Sequence, residues 1–486
     1  MKICRRFAAV LLAVASLAVL CCCAKDTPGK PGTQTGEWDI NKIPDIIRGI
    51  KWGTRFESGD TPLARMKFWK EHGINTVFVL VHDRSGSVLL PPNEAEKEFG
   101  HMYNNADGLK SDDVLKEMVA AAKELKMTLF VGNWMFRDDP MALLHPDWLQ
   151  KNAEGDTSSG VYGSYDLLSP SSPYMTEEVY PFYKRIVEEY GIKNIFLQEM
   201  WYSGIDYNDY NVDAFFKYKY KGNLPEPREE LAKKLKTDAG MKAEMEDFQY
   251  QNLKDVVAEF ESIVGQGGTV AWHEPGVRKY LRDDPAFSSE HWFGTMSLYP
   301  DEAIFAKRDN YKTEMDPFLS FNSLTSYAKM LGNEKRFLEY YAFYEMARIE
   351  RPIEKQDIYS LHFAARAAGF AHFCMEADAH FHFANLENPV VWDALRDVNT
   401  TISTHFEKAV YQGTQIKDEV AVTGNGYGGW WKKSDGCSIV LLGCKTGKEA
   451  LSYTLSGSSA TDENGKAVPL SGTLEPGVMK MFIVSK

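Results

Sequence analysis

Cysteine, basic runs and long apolar stretches are all scarce in this sequence, and each scarcity narrows what the chain can be. Of its 7 cysteines, only Cys374, Cys437 and Cys444 lie beyond residue 23. Three thiols cannot build the disulfide framework of a small secreted scaffold. Cys437 and Cys444 suit either a pair across a hairpin or, the preferred reading, two free buried thiols. No block of lysine and arginine interrupts a net charge of −13. A polyanionic partner such as nucleic acid is therefore disfavoured, because nothing would neutralise its phosphates, and a neutral substrate fits better. The apolar run over 7–20 is too short for a stable transmembrane helix. No Gly-rich phosphate loop follows the first candidate strand, and no Gly-x-Ser-x-Gly elbow, His-Glu-x-x-His or Cys-x-x-Cys pattern occurs. A nucleotide-binding doubly wound sheet and a serine hydrolase are thereby disfavoured.

What is present is an ordinary globular composition, 44% hydrophobic and 25% charged over 486 residues, enough for one large core and one smaller one. The start is basic (Lys2, Arg5, Arg6) and leads through the short apolar run into Leu20, Cys21, Cys22, Cys23 and Ala24. This is the order of a bacterial signal peptide ending in a lipobox, with Cys23 the expected acylated residue and Cys22 the runner-up; an ordinary secretory signal is the alternative. The expectation is a signal over 1–23, a Pro/Gly-rich tether over 24–38, and an exported, membrane-anchored lipoprotein in the periplasm or at the cell surface.

From residue 49 to about 383, short apolar runs alternate with amphipathic stretches, the pattern of βα units. Strands are predicted over 49–55, 75–82, 128–134, 194–201, 269–274, 292–298, 318–323 and 371–376. Eight nearly continuous apolar strands predict an α/β fold, a (β/α)8 TIM barrel over 39–403. An open doubly wound sheet is the structural rival. Ser111 is predicted to cap a helix over 112–126, Ser172 and Pro173 to open one running to Tyr190, and Gly73 and Gly191 to take positive φ past helix ends. From about Thr404 the texture changes to short strands (419–423, 437–444, 450–455, 479–485) with a turn at Asn464 and Gly465, predicting a small all-β sandwich over 404–486.

In such a barrel the active site lies at the C-terminal ends of the strands, so carboxylates that end apolar runs are the ones to weigh. Strand four runs into Glu199 and strand five into Glu274, each beside a tryptophan. Two carboxylates facing one cavity, one kept protonated by apolar surroundings and one ionised, are what hydrolysis of a glycosidic bond requires. Glu199 and Glu274 are the candidate catalytic pair, with Glu376 on strand eight in reserve; each also has a bland reading as a rim ion-pair partner. Asp206 is read as a turn cap. Candidates for binding sugar hydroxyls or stacking on rings are Trp52, Arg55, Asn133, Trp134, Gln198, Trp201, Trp272, His273, Tyr299 and Asn322. Aromatics at 13% of the chain, with 11 Trp and 24 Tyr, agree with a carbohydrate substrate, though many of them simply pack. His372, His380 and His382 invite a metal reading, but His82, His273 and His291 are scattered in the sequence, and the expectation is no metal and no cofactor.

The stretch His145, Pro146, Asp147, Trp148 through Gly155, then Tyr165 to Pro173, then a helix and Asn194 to Glu199, resembles the third-to-fourth unit of several TIM-barrel glycosidase families. The last 25 residues similarly look like the final hairpin of the β-sandwich that follows many such barrels. The resemblance implies a glycoside hydrolase acting on a polysaccharide or oligosaccharide. It implies roles in two competing ways. Clan-A glycosidases use a strand-four Glu as acid/base with a strand-seven nucleophile, whereas alpha-amylase-like barrels use a strand-four nucleophile with a strand-five acid/base. This chain departs from both: strand seven read at 318–323 carries no carboxylate, strand four offers Glu where the second layout has Asp, and Gln198 stands where clan A usually has Asn. A non-catalytic glycan-binding lipoprotein and a metal-dependent barrel hydrolase, such as a deacetylase or phosphodiesterase, are the rival functions.

Overall fold

A computed structural model describes residues 38–53, 61–103, 111–157, 167–198, 200–273, 292–298, 318, 321–322, 325, 336–340, 354–377, 389–416, 419–422, 425–445 and 447–486. Asp39 to Lys486 form one compact unit. Its largest sheet holds β1 (Arg48–Trp52), β2 (Thr76–His82), the short β3 (Ser87–Val88) and β4 (Met102–Tyr103), β5 (Thr128–Trp134), β6 (Asn194–Gln198), β7 (Thr269–His273), β8 (Trp292–Leu298), β9 (Arg336–Tyr340) and β10 (His372–Ala377). β3 and β4 are an outlying pair beside β2. The remaining strands pair in parallel in chain order, and β1 pairs with both β2 and β10. The fold is thus a mixed α/β one with a parallel sheet.

Parallel strands joined by helices are buried on both faces, which is why β2 is buried at every position. On one face, Phe78, Phe130, Phe196, Ala271 and Cys374 gather with Ile47 into a single cluster. Phe78 stacks on Phe130 at 4.5 Å between ring centroids and meets Phe196 edge-on at 5.6 Å. Such ring pairs add about 0.5–1.5 kcal/mol each beyond the area they bury. On the other face, helices cover the strands: Trp69 of the helix Pro62–Glu71 packs on Trp52 at 5.0 Å.

One predicted strand is corrected. Phe318, Phe321, Asn322 and Thr325 are helical, and the seventh parallel strand is Arg336–Tyr340. Phe318 and Phe321, three residues apart on a helical turn, both pack on Tyr427, at 5.1 and 4.9 Å. A short apolar run serves a helix face as well as a strand, and the true strand, with charged residues at its first and fourth positions, gives no such run. Two strands end three residues earlier than predicted: β1 at Trp52 and β6 at Gln198. The cap of the helix Val114–Leu125 is Asp113, whose carboxylate accepts the Lys116 N–H at 2.9 Å; Ser111 instead accepts the Asp113 N–H. Gly73 and Gly191 do take positive φ.

The C-terminal strands form two antiparallel sheets. One orders β11 (Val410–Gly413), β13 (Gly426–Lys432), β14 (Ser438–Cys444), β19 (Met479–Ser485), β16 (Ser459–Thr461) and β17 (Ala467–Val468); the other orders β12 (Val420–Val422), β15 (Leu451–Leu455) and β18 (Ser471–Leu474). Their facing sides share a core of Val440, Leu442, Phe482 and Val484 from the first and Val420, Leu451, Tyr453 and Leu474 from the second. Gly465, at φ 77°, makes the β16–β17 turn. Cys374, Cys437 and Cys444 are free thiols, and Cys437, expected buried, is partly exposed. Among the described residues no helix is long and apolar enough to cross a membrane.

Candidate functional site

The C-terminal ends of β1, β5 and β6 bring part of the expected site together. Leu197 stands in register with Asn133 and with Trp272, and Gln198 with Trp134. Gln198 is buried, and its carboxamide oxygen accepts a hydrogen bond of 3.0 Å from Lys51 Nζ on β1, across the strand ring. Trp134, half-buried, has the guanidinium groups of Arg84 and Arg137 at 5.8 and 5.7 Å from its ring centroid. Trp201 is half-buried two residues beyond Glu199, and its carbonyl accepts from Gln150 Nε2.

Other predicted residues lie elsewhere. Trp52 packs on Trp69 and under Arg65, on the helix side of β1. Asn133 is buried, and its side-chain oxygen accepts the Tyr183 hydroxyl at 3.0 Å, again toward a helix. Asn322 is exposed on the helical turn. Trp272 and His273 are in β7, and Glu376 is in β10 in register with Lys51. Glu199, Glu274, Arg55, Tyr299, His380, His382, Cys22 and Cys23 lie outside the described residues. His372 is buried and takes the Ile47 N–H on Nδ1 at 3.0 Å.

Asp206 knits two loops. Its carboxylate accepts the Lys151 N–H (3.0 Å), the Asn208 N–H (2.9 Å) and the Ser169 hydroxyl (2.6 Å). Burial nevertheless pushes its carboxyl up to about 6, against these hydrogen bonds. Because the folded-state value lies above the ordinary carboxylate value of about 4, the folded chain holds this proton more tightly, and stability falls as pH rises from about 4 to about 6. Asp206→Asn, whose carboxamide oxygen can still accept both backbone N–H groups, is expected to remove a pH slope totalling roughly 3 kcal/mol. Urea unfolding midpoints of both proteins between those pH values check this; identical slopes would refute it.

Two groups of residues were missed in the sequence. Lys51 is one: a lysine inside an apolar strand is a legible anomaly, and it points at the end of β6. The other is a buried polar cluster from two consecutive βα units. His82 ends β2, His101 precedes β4, Asp138 follows β5, and Glu178 lies in the helical segment Met175–Val179. His82 Nε2 lies 3.5 Å from Asp138 Oδ2; His101 Nε2 lies 3.6 Å from the same oxygen and 3.1 Å from Glu178 Oε1. Burial pushes the Glu178 carboxyl up to about 8, partly opposed by His101. His82 is lowered by burial and by His101, whereas in His101 the neighbouring carboxylates Asp138 and Glu178 outweigh burial and raise it. His82 was set aside as scattered because its partners are distant in sequence.

No family model matches the chain and no curated protein matches its sequence. Solved structures do resemble it. A beta-galactosidase from Bacillus circulans sp. alkalophilus superposes with a TM-score of 0.59 at 10% identity, over 92% of this chain and 100% of its own. A maltogenic alpha-amylase from Thermotoga neapolitana gives 0.53 at 10% identity, over 91% and 99%. A pullulanase from Anoxybacillus sp. LM18-11 gives 0.52 at 11% identity, over 95% and 72%. At these identities the likeness is one of fold, and that fold is one found among glycoside hydrolases.

Proposed function

We propose that the chain is a glycoside hydrolase on a (β/α)8 barrel with an appended β-sandwich, cleaving an oligosaccharide or polysaccharide with two carboxylates and no cofactor in the chemical step. The observation that carries the reading is the fourth parallel strand: β6 runs through buried Asn194, Ile195, Phe196, Leu197 and Gln198 directly into Glu199, at the end where barrels place their chemistry. The fold likeness supports the same class. The chain acts, on this reading, outside the inner membrane, held by a lipid on Cys23 or Cys22.

For the second carboxylate, Glu274 follows the end of β7. The corrected seventh strand adds a competitor, Glu339, in register with Ser297 and Cys374. With it, the objection to a strand-four acid/base working with a strand-seven nucleophile no longer holds. A metal-dependent hydrolase would need an ion with an open coordination position at the mouth. His82, His101 and Asp138 are instead buried, with both histidine rings about 6 Å from Phe182 of the helix Tyr180–Tyr190, so that reading is not adopted.

The test is a panel of α- and β-linked polysaccharides, with sugar release measured for the parent chain and for Glu199→Gln, Glu274→Gln and Glu339→Gln. Loss in Glu199→Gln together with one of the other two identifies the pair. Undiminished release by all three sinks the mechanism, and retention on a polymer without cleavage favours glycan binding.

Lys51 is assigned as a positioning residue, holding Gln198 from inside. A buried hydrogen bond of this kind contributes about 1–3 kcal/mol. Lys51→Met, which keeps the stem volume, is expected to lower kcat about 10-fold with KM nearly unchanged. A change in KM alone would assign Lys51 to substrate binding instead.

A further inference from the structure

We infer that His82, His101 and Asp138 form a site for one divalent transition-metal ion of the zinc type, with Glu178 beside it against His101, separate from the proposed sugar-cleaving residues. The four side chains are 4%, 0%, 0% and 3% exposed. His82 Nε2, His101 Nε2, Asp138 Oδ2 and Glu178 Oε1 are all buried polar atoms for which no other protein group completes a hydrogen bond. Buried polar groups are nearly always partnered, and one shared cation would satisfy the three atoms of His82, His101 and Asp138 that lie together. Donor atoms of His82, His101 and Asp138 lie within 4.8 Å of one another.

The spacing identifies the class of partner. An ion bound tetrahedrally with bonds of about 2.0–2.1 Å sets neighbouring donors about 3.3–3.4 Å apart. The measured separations of His82 Nε2 and His101 Nε2 from Asp138 Oδ2, 3.5 and 3.6 Å, lie close to that value. Charge agrees as well: two carboxylates and two neutral imidazoles around a dication sum to zero, which offsets the penalty of burying them. Imidazole nitrogen with carboxylate oxygen suits zinc, and harder ions prefer all-oxygen sites. Asp138 is fixed in place, since its other oxygen caps the helix Asp139–Leu144 by accepting the Met141 N–H at 3.1 Å. The three ligands are 4%, 0% and 0% exposed, so the site is shut off from solvent, which suits a structural role rather than a catalytic one.

Its position gives the ion a task. His101 belongs to the segment between β2 and the helix Val114–Leu125, which is otherwise fastened to the helix Tyr180–Tyr190 by Arg185, through Glu96 at 2.5 Å and the Pro91 carbonyl at 2.7 Å. The ion would tie this segment to the ends of β2 and β5, beside Trp134.

The test uses the full chain as purified and is independent of any glycosidase activity. Metal analysis is expected to find about one equivalent of zinc per chain. After chelation, titration with cobalt is expected to give the intense visible absorption of a four-coordinate ion, and zinc added back should raise the melting midpoint by several degrees. Asp138→Asn, which keeps the cap acceptor, should lose the cobalt band while retaining its circular dichroism; His101→Ala should lose it too. Protein that contains no metal, takes up no cobalt after chelation and melts at the same temperature with and without zinc overturns the assignment, as does an unchanged cobalt band in Asp138→Asn. The four groups would then be sharing protons alone.

Discussion

Glu199→Gln is expected to lower kcat on a cleaved glycan by about 10²–10⁴-fold, the range general acid–base groups supply, while the melting midpoint stays where it was. The substitution keeps shape and removes only the ionisable oxygen. Gln198 and Lys51 remain paired, so the end of β6 should not move. The size of the effect on different leaving groups assigns the role. If Glu199 donates the proton, an aryl glycoside whose leaving group departs without one should lose far less than a natural glycan. If Glu199 is the nucleophile, both should lose alike, because the missing bond to the anomeric carbon precedes departure in either case. Full activity of Glu199→Gln on every substrate would end the proposal that β6 delivers the chemistry.

Gly132→Ala is expected to destabilise the chain by about 3 kcal/mol or more, at the upper end for an overpacked core, read as a melting midpoint several degrees lower and a reduced soluble yield. Gly132 lies in β5 opposite Phe196 of β6. A Cβ there would stand 2.0 Å from the Phe196 carbonyl oxygen and 3.2 Å from the Phe196 Cβ. Backbone cannot rotate aside as a flexible side chain can, so relief requires the two strands to separate or slip. Phe196 is two residues from Gln198, and a slip there displaces the end of β6, so activity should fall more than stability alone explains. An unchanged midpoint would show that β5 and β6 tolerate a wider spacing than the structure has. Glycine at this point is a requirement of close approach and not of an unusual φ.

How legible the fold was depended on whether an apolar run and a strand coincided. β5, β8 and β19 read at their actual boundaries, because each run is bounded by a turn or by polar residues. β6 was read three residues too long because Met200 and Trp201 continue the apolar run after the strand has ended, Met200 buried and Trp201 half-buried in the loop. β9 was missed for the opposite reason: Phe337 and Leu338 sit between Arg336 and Glu339, and the louder signal at Phe318 and Phe321 belongs to a helical face. For the candidate site, sequence could name only residues that sit next to a strand end. Glu199 and Glu274 were named from their neighbours alone and lie outside the described residues, and Asn133 and Trp52, also close to strand ends, turn toward helices, a matter of strand parity that one residue of register decides. The cluster of His82, His101, Asp138 and Glu178 had no local signature, since two members lie in connections whose path only tertiary packing sets.

The pairing of β1 with β10 bears on how the chain reaches its fold. Arg48–Trp52 finds its second partner at His372–Ala377, and the Ile47 N–H reaches His372 across 325 positions of sequence. Until that late segment has been made, β1 and β9 each present an unpaired parallel edge, the feature most prone to join a second molecule. Bringing such distant ends together carries a loop-closure entropy that only the completed ring repays. A nascent chain that stops short of Ala377 is therefore an open sheet with two adhesive rims, and folding of the α/β part is committed by one of its last strands to be synthesised.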